Sequence, residues 1–247
     1  MITRRTLIAA SGGLLVAGCD KLDSSPAFRR TLRLGEKLSF RAQRLISDRA
    51  ALAPEFRPEQ RSPIFRANGT RLPAGEAYAA HAANGFADWR LVIDGLVARP
   101  LSMSMAAIRS MPHRSQITRH DCVEGWSAIG KWTGVPLKLL LDHAGVRPAA
   151  RYAVFLCADG FGATPYYESI DLIDALHPQT ILAWALNDAL LPIPNGAPLR
   201  LRVERMLGYK HAKYLERIEL VDRLDGLAGG RGGYWEDKSD YEWYAGI

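Results

Sequence analysis

With 247 residues and 48% hydrophobic content, the chain can form one large domain or two small ones, and it is too apolar to be disordered. Its formal charge of +6 drops to about +4 without Arg4 and Arg5, and no Lys/Arg cluster is interleaved with aromatics, which argues against a nucleic-acid partner. Three cysteines, Cys19, Cys122 and Cys157, are too few for a disulfide scaffold and too sparse for a four-ligand zinc site.

Residues 1–18 read as an export signal. Arg4-Arg5 precedes a short apolar stretch, broken by Ser11, Gly12 and Gly13, that is too short to span a bilayer of roughly 30 Å. The paired arginines resemble a twin-arginine signal, and Val16-Ala17-Gly18-Cys19 resembles a bacterial lipobox, which implies acylation of Cys19. Asp20 after it fits retention on the inner membrane, so a periplasmic, inner-membrane-anchored lipoprotein is expected. Residues 19–35 then read as the lipidated cysteine and a polar tether, and 36–247 as the folded domain.

From about Glu36 to Ala51, apolar residues at helical spacing predict an amphipathic helix packed on the domain and stopped by Pro54, its arginines forming a solvated face. An irregular loop, Phe65 to Pro73, carries Asn68. A strand is expected at Leu91–Ile93, a short helix at Ser102–Ser110, and a strand ending at Cys122 where Ile117-Thr118 gives way to a Gly- and Trp-rich loop. Pro136 and Gly145 bracket a helix over Leu137–His143. Arg151–Cys157 alternates as a strand, Ser169–Leu176 reads as a helix, and Ile181–Leu186, Leu199–Val203 and Tyr214–Val221 read as strands. Mixed elements without regular βαβ alternation give an α+β fold, in one domain.

A thiol at a strand end is available for chemistry, although a lone cysteine more often packs as a small hydrophobe. Asn195-Gly196-Ala197-Pro198-Leu199-Arg200, followed by Tyr209-Lys210-His211-Ala212-Lys213, combines amides, backbone N–H groups near Gly196 and Gly208, and cations into an anion cradle suited to phosphate. It is neither a Walker nor a Rossmann glycine loop. A thiolate with a phosphate cradle suggests a cofactor bearing both a soft metal and a phosphate.

Cys122-Val123-Glu124-Gly125-Trp126, the Asn195 to Arg200 segment and the His211-Ala212-Lys213 turn together resemble the sulfite oxidase superfamily of molybdopterin enzymes, over roughly Asn68 to Val221. The resemblance implies a single sulfite-oxidase-type molybdopterin-binding domain, a mixed sheet with peripheral helices, and Mo-molybdopterin as cofactor. It implies Cys122 as molybdenum ligand, with Asn68, Asn195, Arg200, His211, Ala212 and Lys213 holding the pterin and its phosphate. Cys157 stands where a reductase member has a threonine beside the pterin. His120 shares a strand face with Cys122, and the proton donor stays unassigned. Sulfite oxidases carry an arginine beside the asparagine of the Asn68 loop, and here Ala67 stands there. Only 34 residues follow Lys213, too few for an immunoglobulin-like dimerisation domain, so a monomer is favoured.

The expected activity is oxygen-atom transfer to or from a small S- or N-oxide substrate by a molybdenum-dependent oxidoreductase. Without haem or Fe–S motifs, the electron partner is a membrane haem subunit or a cytochrome. The alternatives are a sulfite dehydrogenase-like enzyme, a cysteine hydrolase using Cys122 with a histidine, and a non-catalytic lipoprotein binding pterin or an anion. The aromatic tail from Gly229 to Tyr244 is expected to pack on the core rather than line the cofactor funnel. With both internal cysteines placed at strand ends, a Cys122–Cys157 disulfide is one expectation for the cofactor-free protein, against Cys157 as a small buried residue.

Overall fold

The computed structural model describes residues 25–162 and 164–247, so the export signal with Arg4 and Arg5, and the lipobox Cys19, lie outside the described residues. The first element is helix α1 (Pro26–Ile46). It starts at Pro26 rather than Glu36 because the Ser25 side chain accepts from the Phe28 N–H and proline suits the first turn. Part of the stretch read as tether is therefore helical. The helix stops at Ser47, well before Pro54, and none of its residues is buried.

From residue 49 onward the elements are α2 (Glu76–Ala83), β1 (Arg90–Gly95), β2 (Leu101–Ser104), α3 (Met105–Ser110), β3 (Arg114–Cys122), β4 (Trp126–Pro136), α4 (Leu137–Ala144), β5 (Tyr152–Phe161), β6 (Thr164–Asp171), α5 (Leu172–Ala175), β7 (Ile181–Leu186), β8 (Ala189–Leu190), β9 (Arg200–Arg202), β10 (Leu215–Val221) and α6 (Tyr234–Ser239). One sheet runs β2-β1-β10-β5-β6 and the other β3-β4-β7-β8, with β9 also on β7. The β1–β10 pair is parallel and the other pairs are antiparallel, which makes an α+β architecture with mixed sheets.

Apolar residues of β1, β5 and β10 pack with Leu137, Leu140 and Leu141 of α4, whose spacing puts them on one face of the helix. Gly145 ends α4 in the left-handed region (φ 69°), as its place after the apolar run requires. A second cluster forms around Trp132 with Ile181, Ala183, Leu186 and Leu191. There β4 crosses β7 so closely that a Cβ on Gly134 would sit 2.2 Å from the Leu182 carbonyl oxygen.

Several expected boundaries give way to tertiary pairing. Residues 101–104 join β1 as a strand, and the helix begins only after Ser104, whose hydroxyl accepts from the Ala107 N–H at 3.2 Å. Ser169 and Ile170 lie in β6, paired to Val154 and Ala153, and only one helical turn follows, capped by Asp171. The Trp126 segment is strand β4 rather than loop, paired along all of β3. β5 continues to Phe161, which puts Cys157 inside a strand and not at its end.

Candidate functional site

Strand β3 alternates so that Gln116, Thr118, His120 and Cys122 face inward. Cys122 is its last residue, opposite Trp126 across a turn closed by the Gly125 N–H donating to the Cys122 carbonyl at 3.0 Å. Gly125 takes φ 85°, a conformation that favours glycine. The thiol is only 9% exposed. Burial raises its pKa, the Glu124 N–H pulls it down and the Glu124 carboxylate pushes it up again. A bound cation would tip this balance to thiolate.

Behind the thiol lies a buried surplus of positive charge. Arg200 and Arg202 of β9 are both 0% exposed and sit over the Trp132 ring, 5.0 and 4.4 Å from its centroid. Arg202 is neutralised by Glu204 through a two-pronged pair at 3.0 and 2.6 Å. Among the described residues Arg200 hydrogen-bonds to carbonyls alone, Asn195 at 2.9 Å and His211 at 3.2 Å. Burial, with Arg202 adding, brings Arg200 down to about 9. Lys213 likewise donates to the carbonyls of Asn68 (2.6 Å), Thr70 and Pro194 (3.1 Å), and burial, with Arg200 adding, pushes it down to about 7.

The two histidines can be assigned tautomers from their partners. Arg202 has no acceptor, so His120 Nδ1, 2.9 Å from it, accepts and the hydrogen sits on Nε2. His211 Nε2 faces the Met206 carbonyl at 3.0 Å and must donate, leaving Nδ1 bare. Burial holds both rings neutral, with the neighbouring arginines acting in the same direction.

Cys122, His211 and Lys213 among these groups border a cavity of about 250 Å³. Cys122, Val123 and Glu124 line it from the hairpin; Asn68, Gly69 and Thr70 from the loop; Gly208, Tyr209, His211 and Lys213 from the cradle turn. Asp159 also lines it, raised to about 6 by burial against the pull of Lys213. Phe161, Tyr166, Trp235 and Tyr241 complete an aromatic wall.

The tail therefore does both things once set against each other: Tyr234 packs into the core while Trp235 and Tyr241 line the cavity. What fixes it is Lys210, whose ammonium pairs with Glu168 of β6 at 2.6 Å and Glu236 of α6 at 2.5 Å, all three fully buried. Lys210 is consequently spent and does not serve an anion. Nor is backbone near Gly196 free, since its own N–H donates to the Ile193 carbonyl at 2.9 Å.

Of the residues singled out in the sequence, Cys122, Asn68, His211 and Lys213 share the cavity wall. Asn195 and Arg200 stand behind it, joined to it by the Arg200–His211 bond. Ala212 is buried in the core, and its carbonyl accepts from the Leu201 N–H at 2.8 Å. Cys157 also belongs to the core, pairs with Leu215 in the sheet and does not line the cavity, so the strand-end premise for a disulfide with Cys122 fails; both thiols are free. Burial raises Cys157 well above its ordinary value.

The residues present fit a pterin phosphate with a soft metal. Among the described residues, Arg200 Nε, Asn195 Nδ2 and His120 Nε2 are buried donors with no partner, and His211 Nδ1 is a buried acceptor with none. Such atoms are rare unless a bound group satisfies them. Neither Arg200 nor Lys213 has an ion pair among the described residues, so an oxyanion would restore both charges.

The oxidoreductase molybdopterin binding domain family matches residues 78–226. A protein of Azospira oryzae provisionally named a protein-methionine-sulfoxide reductase subunit is 41% identical over 65% of this chain and 56% of its own length. The protein-methionine-sulfoxide reductase catalytic subunits of Gluconobacter oxydans and Ralstonia nicotianae are 37% and 35% identical, over 54% and 55% of this chain and 47% and 44% of theirs. The chain thus spans about half the length of the curated relatives it matches. Among solved structures, a sulfane dehydrogenase from Paracoccus pantotrophus is similar with a TM-score of 0.51 at 24% identity, over 56% of this chain and 39% of that one, a likeness of fold.

Proposed function

The chain belongs to the oxidoreductase molybdopterin binding domain family and is a molybdenum-dependent oxidoreductase; we propose that it removes the oxygen atom from sulfoxides, with methionine sulfoxide as the substrate class. The names of the relatives support this, and the cavity carries it. One soft thiol and a buried cation cradle meet there under an aromatic wall suited to a thioether. Ala67, beside Asn68, offers no charge to a dianion such as sulfite.

In this reading Cys122 ligates molybdenum, its thiolate favoured by the N–H groups of Glu124 and Val123. Arg200, Asn195 and Lys213 hold the phosphate, while Asn68, His211 and the Ala212 backbone shape the pterin pocket; Cys157 acts through packing. When bound, the cofactor supplies a two-electron couple for oxygen-atom transfer. Each sulfoxide consumes two electrons and two protons and yields a thioether and water. Asp159, near 6, holds a proton in the cavity at neutral pH for part of the time, and its Oδ1 has no other partner. His120 stays neutral and positions Arg202 through Nδ1.

The same proposal puts the protein in the periplasm, exported folded through the twin-arginine route and held on the inner membrane by lipid on Cys19. Electrons come from a membrane haem subunit or a cytochrome, in keeping with relatives named as subunits. Protein produced in a host that makes the cofactor is expected to hold about one molybdenum per chain and to oxidise reduced viologen with methionine sulfoxide. Cys122→Ser is expected to abolish turnover. Zinc in place of molybdenum, or full activity in Cys122→Ser, refutes the site assignment. Bound cofactor without turnover on any oxide favours a non-catalytic lipoprotein.

A further inference from the structure

Helix α1 carries Arg29, Arg30, Arg33, Lys37, Arg41 and Arg44 against a single acid, Glu36. At 100° per residue all six cations fall within an arc of roughly 120°. The opposite arc holds Phe28, Leu34, Leu38, Ala42, Leu45 and Ile46. These apolar side chains are exposed, Leu38 at 64% and Leu45 at 87%. A solvated surface helix has no use for so broad an apolar face, and a core helix would bury it.

We propose that α1 lies in the plane of an anionic bilayer, with the Leu38–Leu45 face sunk into the headgroup boundary and the cationic face turned to lipid phosphates. Three observations commit the face to this occupant. The charge is complementary to anionic lipid, six cations against one acid. Arg41 stands beside Leu34 where the two arcs meet, and long side chains at such a border reach back to the headgroups. The helix is also too polar to cross a membrane: among the described residues no helix is long and apolar enough to do so.

This inference is independent of acylation at Cys19, seven residues ahead of Pro26, and it adds a second contact to the anchor proposed above.

The test uses the full chain carrying Cys19→Ala, which cannot be acylated, and co-sedimentation with vesicles. One set contains phosphatidylglycerol and phosphatidylethanolamine, the other phosphatidylcholine alone. Residues 1–18 are common to all samples, so differences between variants read the helix. Binding to the anionic vesicles is expected to exceed binding to the neutral ones at least tenfold and to fall steeply with salt. Leu38→Glu with Leu45→Glu, and separately Arg33→Gln with Lys37→Gln and Arg41→Gln, are each expected to lose that tenfold preference with an unchanged melting midpoint and unchanged molybdenum content. Equal anionic binding in both variants overturns the proposal. So does a change in sedimentation coefficient without vesicles, which assigns the face to a second copy, or a lowered melting midpoint, which assigns it to intramolecular packing. Failure of export or acylation leaves this outcome unaffected, because no lipid modification enters the assay.

Discussion

Lys213 gives the cofactor-free protein a pH dependence that the cofactor should erase. Its amine falls from 10.5 to about 7 through burial, with Arg200 adding, while the unfolded chain keeps the ordinary value. Below about pH 7 both states hold the proton and the cost of burying the charge is paid in full. Above it the folded state releases the proton first, the unfolded chain binds more, and stability rises with pH. With nearly one proton's difference the slope approaches about 1.4 kcal/mol per pH unit, or about 2 kcal/mol between about pH 7.5 and about pH 9. Asp159, near 6, has finished titrating below this window. Cys122 and Cys157, both raised by burial, begin to oppose the trend only near its upper end. Urea unfolding of protein from a host lacking the cofactor, compared with Lys213→Gln, isolates the term. The unaltered chain is expected to show the slope, the variant to lose most of it, and the loaded protein to be flat because an oxyanion restores the ammonium. A cofactor-free protein with the same slope as Lys213→Gln would refute the assignment of Lys213 as an unneutralised cradle cation.

Gly208→Ala places a methyl 2.6 Å from His120 Nε2 and 2.8 Å from its Cε1, against a ring locked by Arg202, so a loss of about 1–3 kcal/mol and reduced molybdenum retention are expected, read by unfolding and elemental analysis. Lys210→Met leaves Glu168 and Glu236 buried together without a cation; about 3–5 kcal/mol should be lost, and limited proteolysis should cut around α6 first. Arg4→Lys with Arg5→Lys is expected to block export, as judged by fractionation; normal export of this variant would point to the general secretory route.

The inward face shared by His120 and Cys122, the proposed metal ligand, is legible in the sequence, because one face of a strand follows from period two alone. The cradle was legible only in part: His211 and Lys213 line the cavity, whereas Lys210 is spent on Glu168 and Glu236 and the Gly196 N–H on the Ile193 carbonyl, partners that lie too far off or too deep for a local pattern to show. The aromatic wall was not legible. Trp235 and Tyr241 reach the cavity because Lys210, Glu168 and Glu236, from three separate elements, meet in the interior, and no short-range pattern announces such a triad. Asp159 lies just past the strand expected at Arg151–Cys157, and the β6 pairing that carries β5 through to Phe161 is what brings it to the cavity. Ser169 failed as a helix residue because Asp171, a true cap, lies two residues further on. The signal for Glu124 was present, two residues beyond Cys122, but nothing local shows that it borders the cavity.

The place of β10 in its sheet has a bearing on how the chain comes to be folded. It sits between β1 and β5, parallel to one and antiparallel to the other, so the strand made last joins two ribbons made long before it. Without it, β1–β2 and β5–β6 are isolated two-stranded hairpins, which are marginal in water. The five-stranded sheet of this half therefore closes only once β10 has been made. Its contacts are also far apart in sequence, which slows closure. The His211 to Lys213 turn leads directly into β10, so the cradle takes its final shape in the same step that completes the sheet.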